Sequence, residues 1–185
     1  MCKRVFGVVF LFLVVSIGVA SAQTQPFIAV YFDQTFQTEA VDPCPGIGVL
    51  DTLYVEFVNA NTFVSGVEFS INYPPELNYV SDINATGSVV LGITPTGFSM
   101  SWSTPQNGFA GAIDVCQVLV QWNCDGCATT DIALPVVAHP ATGFLGYSDF
   151  PNFQLFPAVG LTSLICPTVP TQETTWGKLK SLYVE

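Results

Sequence analysis

The chain has 185 residues, of which half are hydrophobic, with 14 acidic and only four basic side chains for a formal charge of −10. So acidic a surface repels phosphate backbones and anionic headgroups, which excludes nucleic acid and anionic membrane as partners. The length suits one domain with a real core.

Residues 1–22 read as a signal peptide. Lys3 and Arg4 make a basic start, Val5 to Ala20 is an apolar run, and Ala20-Ser21-Ala22 offers small residues for cleavage before Gln23. The run falls short of the ~18–20 residues that a span needs, so removal rather than anchoring is expected. The mature protein is then secreted or held at the cell surface, with no membrane insertion. Its only lysines or arginines are Lys178 and Lys180.

Phe27 to Phe32 reads as a first strand, followed by a loop with Asp42, Pro43, Pro45 and Gly46 that carries Cys44. Leu53, Val55 and Phe57 then alternate with Thr52, Tyr54 and Glu56, and Asn59 to Asn61 makes a turn. From Phe63 to Asp82 the pattern is plainest. Val67, Phe69, Ile71 and Tyr73 alternate with Glu68, Ser70 and Asn72, the period of a strand with one buried and one wet face. Pro74-Pro75 ends it, because neither residue donates a ladder hydrogen bond. Leu77, Tyr79 and Val80 open the next strand.

Val89 to Leu91 follows, and then Phe98, Met100 and Trp102 alternate with Ser99, Ser101 and Ser103. Pro105 to Gly111 reads as a turn cluster. Ile113 to Trp122 is the longest strand, and Ile132–Val137, Gly143–Tyr147, Phe153–Phe156 and Leu161–Ile165 complete the set. About nine to eleven short strands at this spacing predict an all-β antiparallel sandwich. The domain spans 24–168, and residues 169–185 form a tail. There Trp176, Leu179 and Leu182 or Tyr183 fall at helical spacing, so a short amphipathic helix is expected to form only by docking.

Two blocks carry a likeness: Asp51-Thr-Leu-Tyr-Val-Glu-Phe-Val-Asn59, and Gly66 to Val80 with its Tyr73-Pro74-Pro75 turn. With the glycine-led strand from Gly111 to Val120, they resemble the cohesin family, a jelly-roll sandwich related to certain cellulose-binding modules. The resemblance implies a non-catalytic module that recognises a protein partner through a flat sheet face. It places Glu68 at an acidic position of that face, which Ser70, Asn72, Ser99 and Ser101 extend. Gly66 stands where family members carry asparagine, and Pro74 replaces the aspartate of the turn. The rival functions are a carbohydrate-binding module of sandwich fold, with Tyr54 as the exposed ring for glycan contact, and a purely structural surface protein. Trp102 and Trp122 share faces with apolar residues and belong in the core.

Catalysis finds no motif: His139 is the lone histidine, beside Pro140, and the acids form no recognisable pair. No cofactor is expected. A structural calcium ion could be held by Asp125 and Asp131, or by Asp33 and Asp42. Five cysteines follow the signal, and in an exported protein they read as disulfides. Cys124-Asp-Gly-Cys127 could be half a zinc site, but the remaining ligands are scattered. The expected pairs are Cys44–Cys166 and Cys124–Cys127, with Cys116 a buried free thiol. Asn84-Ala-Thr86 fits the glycosylation acceptor pattern. A monomer is expected.

Overall fold

The computed structural model describes residues 25–41, 44–127 and 130–167. Residues 1–22, expected to be a signal peptide, the tail with Trp176 and Leu179, and Asp42 lie outside them. Thirteen strands run through the described residues: β1 (Phe27–Tyr31), β2 (Ala40–Val41), β3 (Leu50–Val58), β4 (Phe63–Ile71), β5 (Leu77–Ile83), β6 (Val89–Ile93), β7 (Gly97–Asn107), β8 (Ala112–Trp122), β9 (Ile132–Val137), β10 (Gly146–Asp149), β11 (Leu155–Pro157), β12 (Val159–Gly160) and β13 (Thr162–Ile165). Two of them, β2 and β12, are two residues long and pair in parallel with β13 and β1. Every other pairing is antiparallel.

Two sheets make the sandwich. One has the order β12-β1-β3-β8-β5; the other, of eight strands, runs β11-β10-β4-β9-β13-β2, with β7 on the other side of β4 and β6 beyond it. β4 changes partner along its length: Val64 to Glu68 pair with β10, and Ser70 and Ile71 pair with β9. The Pro74-Pro75 break falls between β4 and β5, as the missing N–H groups require. The 105–111 segment differs from the sequence expectation. β7 continues through Asn107, and only Gly108–Ala110 form a helical turn. The register of β4 against β7 shifts between Val64 and Gly66, so Pro105 sits in the irregular stretch, where no ladder N–H is demanded.

All twelve residues assigned to the core by alternation are buried: Leu53, Val55, Phe57, Val67, Phe69, Ile71, Phe98, Met100, Trp102, Val118, Val120 and Trp122. Both tryptophans satisfy their indole N–H at the edge of the core, Trp122 on Asp51 Oδ2 at 3.2 Å and Trp102 on Thr86 Oγ1 at 3.1 Å.

The disulfides correct the expected pairing. They join Cys44 to Cys124 and Cys127 to Cys166, with Cα–Cα distances of 6.0 and 5.5 Å. All four cysteines gather at one end of the sandwich, where the sulfurs of Cys44 and Cys166 lie 3.7 Å apart without bonding. An antiparallel bridge of Pro45 with Asp125 sets Cys44 beside Cys124, and Asp131 N–H donates to the Cys166 carbonyl, holding Cys166 to the start of β9 near Cys127. Backbone pairing, absent from a count of spacings, chose the partners. Cys116 is the buried free thiol, and burial, aided by Asp82, pushes its pKa far up, which keeps it unreactive.

Candidate functional site

The outer face of the β11-β10-β4-β7-β6 ribbon is the surface on which the chain concentrates exposed apolar residues around a level floor. Residues paired across a sheet share a face. One row therefore reads Leu155, Ser148, Gly66, Ser101, Val89, and the next Pro157, Gly146, Glu68, Ser99, Leu91. The floor is glycine and serine; the rims are apolar. A groove of about 180 Å³ runs along it, with Phe144 joining Leu155 on one wall. Leu91 and Leu155 are each 65% exposed, and Val89 53%.

At its two glycines the floor admits no side chain. A Cβ on Gly66 would stand 2.8 Å from the Met100 carbonyl oxygen, and one on Gly146 would overlap that of Phe156. Ser65 and Ser148 share a hydrogen bond of 2.8 Å that ties β4 to β10. Glu68 is the single carboxylate on these rows. It accepts from the Thr142 hydroxyl and lies 3.9 Å from His139 Nδ1. That nitrogen itself accepts from the Ala141 N–H at 3.2 Å, and the His139 ring packs over Gly97. The 139–143 loop is thus fastened to the face by Glu68.

Of the residues picked from the sequence, Glu68, Ser99 and Ser101 stand together here. Ser70 does not: it is fully buried, and its hydroxyl donates to the Thr94 carbonyl at 2.9 Å. The cause is the β6–β7 turn, which folds over the end of β4. Thr94 is fixed there by Asp82, whose carboxylate accepts its N–H and its hydroxyl. Asn72 is exposed but lies past the end of β4. Tyr54 belongs to the opposite sheet. The apolar rims escaped the sequence reading because Val89 and Leu91 look like core when only alternation is read. Their exposure comes from β6 being an edge strand.

Of the acids named for a calcium ion, Asp42 lies outside the described residues. The Asp33 carboxylate is taken up by Thr35 and Thr38, and among the described residues no group of three or more His, Cys, Asp or Glu side chains is placed to hold a metal ion.

The layout of the two sheets is that of a cohesin-like jelly roll. CaCohA2 of Clostridium acetobutylicum, in its complex with CaDoc0917, superposes with a TM-score of 0.50 at 14% identity, covering 77% of this chain and 99% of that one. The third ScaB cohesin of R. flavefaciens, in complex with a group 1 dockerin, gives 0.52 at 11% identity, covering 80% and 99%. At such identities the likeness shows the fold. No family model and no curated protein matches the sequence.

Proposed function

We propose that this chain is an exported, non-catalytic recognition module that docks a protein partner on the β11-β10-β4-β7-β6 face. The observation that carries this reading is the level glycine–serine floor between the exposed rims of Val89, Leu91 and Leu155. Small residues let a partner's backbone come close, and the rims offer apolar area to bury. Both cohesin structures of like fold are complexes with a partner. The partner would bring apolar side chains to the rims and a hydrogen-bond donor or cation to Glu68.

Export is supported by the basic-then-apolar start of the sequence and by two disulfides, which persist in oxidising compartments. The location would be extracellular or at the cell surface, the protein a monomer. The deciding experiment is a pull-down from the secreted fraction of the producing cell, comparing wild type with a Leu91→Asp, Glu68→Lys double variant. Wild type should recover a partner that the variant loses. Equal recovery by both would remove the site from this face.

A further inference from the structure

The opposite sheet carries a second concavity that the recognition reading leaves unused. It is a cleft of about 360 Å³ on the outer face of β3 and β8, lined by Gln34, Phe36, Tyr54, Asn84, Asp114 and Gln117 among others. That volume falls in the range of small-molecule sites. We propose that this cleft binds a neutral saccharide, with Tyr54 as the stacking ring and Asn84 and Gln117 as hydroxyl partners.

The aromatic wall is prebuilt. Phe36 stands edge-on to Tyr31 at 5.8 Å and to Tyr54 at 6.1 Å, so its ring braces both tyrosines. The loop that delivers Phe36 is locked by Asp33, whose carboxylate accepts the N–H groups of Thr35 and Thr38 at 2.7 Å each. Those hydrogen bonds, with that of the Thr35 hydroxyl foremost, hold the Asp33 carboxyl down at about 2, so the lock stays closed at any ordinary pH.

The polar wall has matched open valences. Asn84 Nδ2 donates to Gln117 Oε1 at 2.8 Å. This leaves the Asn84 carbonyl oxygen as an acceptor and the Gln117 amide hydrogens as donors, on two residues that both line the cleft. A hydroxyl both donates and accepts, so neighbouring hydroxyls on one ring suit such a pair. Thr86 is already committed, donating to the Asp114 carbonyl and accepting from Trp102.

The electrostatics decide between ligand charges. Asp114 pairs across the sheet with Glu56, and no lysine or arginine falls within the described residues, so an anionic ligand is repelled. A cation would meet the acids but leave the amide donors of Gln117 unmet. Below about pH 7 a proton on Glu56 also offsets part of the charge of the acid pair. Burial first, and then the Asp114 carboxylate, push Glu56 up to about 7. A neutral polyol uses every group on both walls.

The test is titration calorimetry of the full chain with cellohexaose, xylohexaose, mannohexaose and chitohexaose. Material comes from a host that does not glycosylate, since Asn84 heads an acceptor tripeptide. At least one oligosaccharide should bind saturably, with Kd below ~1 mM. Tyr54→Ala and Gln117→Ala should each weaken it about tenfold, while Glu68→Lys on the other sheet leaves it unchanged. Circular dichroism and melting check the fold of each variant. If Tyr54→Ala does not fold, Gln117→Ala and Asn84→Ala decide alone. The proposal is overturned if none of the four binds, if the cleft variants bind as wild type does, or if tetramethylammonium, titrated in parallel as a cation probe, is the only species bound. None of these outcomes touches the partner pull-down, so the two sites fail or stand separately.

Discussion

The two sheets present outer faces of opposite character, although their central strands share one alternation. On the eight-stranded sheet the outer-face positions of β4, β7 and β10 are glycine and serine with one carboxylate, and the flanking strands β6 and β11 supply exposed Val89, Leu91 and Leu155. On the five-stranded sheet the corresponding positions carry Tyr31, Tyr54, Glu56, Asp114 and Gln117, and the 32–39 loop folds back to brace them. The first face is level, apolar at its exposed rims and suited to contact with another surface. The second is concave, polar and made to enclose something small. Close backbone approach explains the small floor: a Cβ on Gly66 would meet the Met100 carbonyl of β7, and one on Gly146 the Phe156 carbonyl of β11.

Both faces stand on one core, and removing it should erase the comparison. Phe69→Ala deletes a fully buried ring that packs 5.2 Å from Phe98, at an expected cost of about 3–5 kcal/mol in urea unfolding. Partner capture and saccharide binding should then fade together. Gly146→Val strikes only the level face. Its side chain meets the Phe156 carbonyl and the Phe144 ring, so a loss of about 2 kcal/mol is expected from overpacking. Recovery of the partner should fail in pull-down while oligosaccharide titration is retained; loss of both would mean the faces are not independent.

The polar face has its own signature in pH. Glu56 is covered by its neighbours, yet it lies near the surface rather than deep in the core, and its carboxyl is raised from 4.5 to about 7. The folded state therefore holds a proton that the unfolded chain has lost. The stability this supplies is complete below pH 4.5 and disappears as pH rises through 7. Its size should be on the order of 1 kcal/mol after solvent screening. Melting temperature against pH should fall across that window in wild type, and Glu56→Gln should flatten the profile. A fall that persists in Glu56→Gln would assign it to other groups.

The smallest contrast lies between two serines that alternation treats alike. Ser70→Ala removes a buried donor to the Thr94 carbonyl, at about 1 kcal/mol. Ser101→Ala, on the exposed floor, should stay within about 0.5 kcal/mol. Chemical denaturation of the two variants separates them, and equal values would contradict the burial of Ser70.

What the sequence determined by itself is the alternation and its punctuation. The period of two in β3, β4, β7 and β8 named twelve residues that are all buried, Pro74-Pro75 placed the end of a strand, and the all-β sandwich class followed. These features are local: a side chain's face depends on its own position in the pleat. What only the tertiary structure decided depends on which segment lies against which. Cys44 took Cys124 because Pro45 bridges Asp125. Ser70 went dry because a turn made 24 residues later folds over it. Val89 and Leu91 stayed wet because β6 is an edge strand. The Tyr54 cleft exists because Asp33 folds a loop back over β3. Each of these joins residues distant in the chain, and the free energy that brings them together comes from burying the core, which a pattern of neighbours cannot encode.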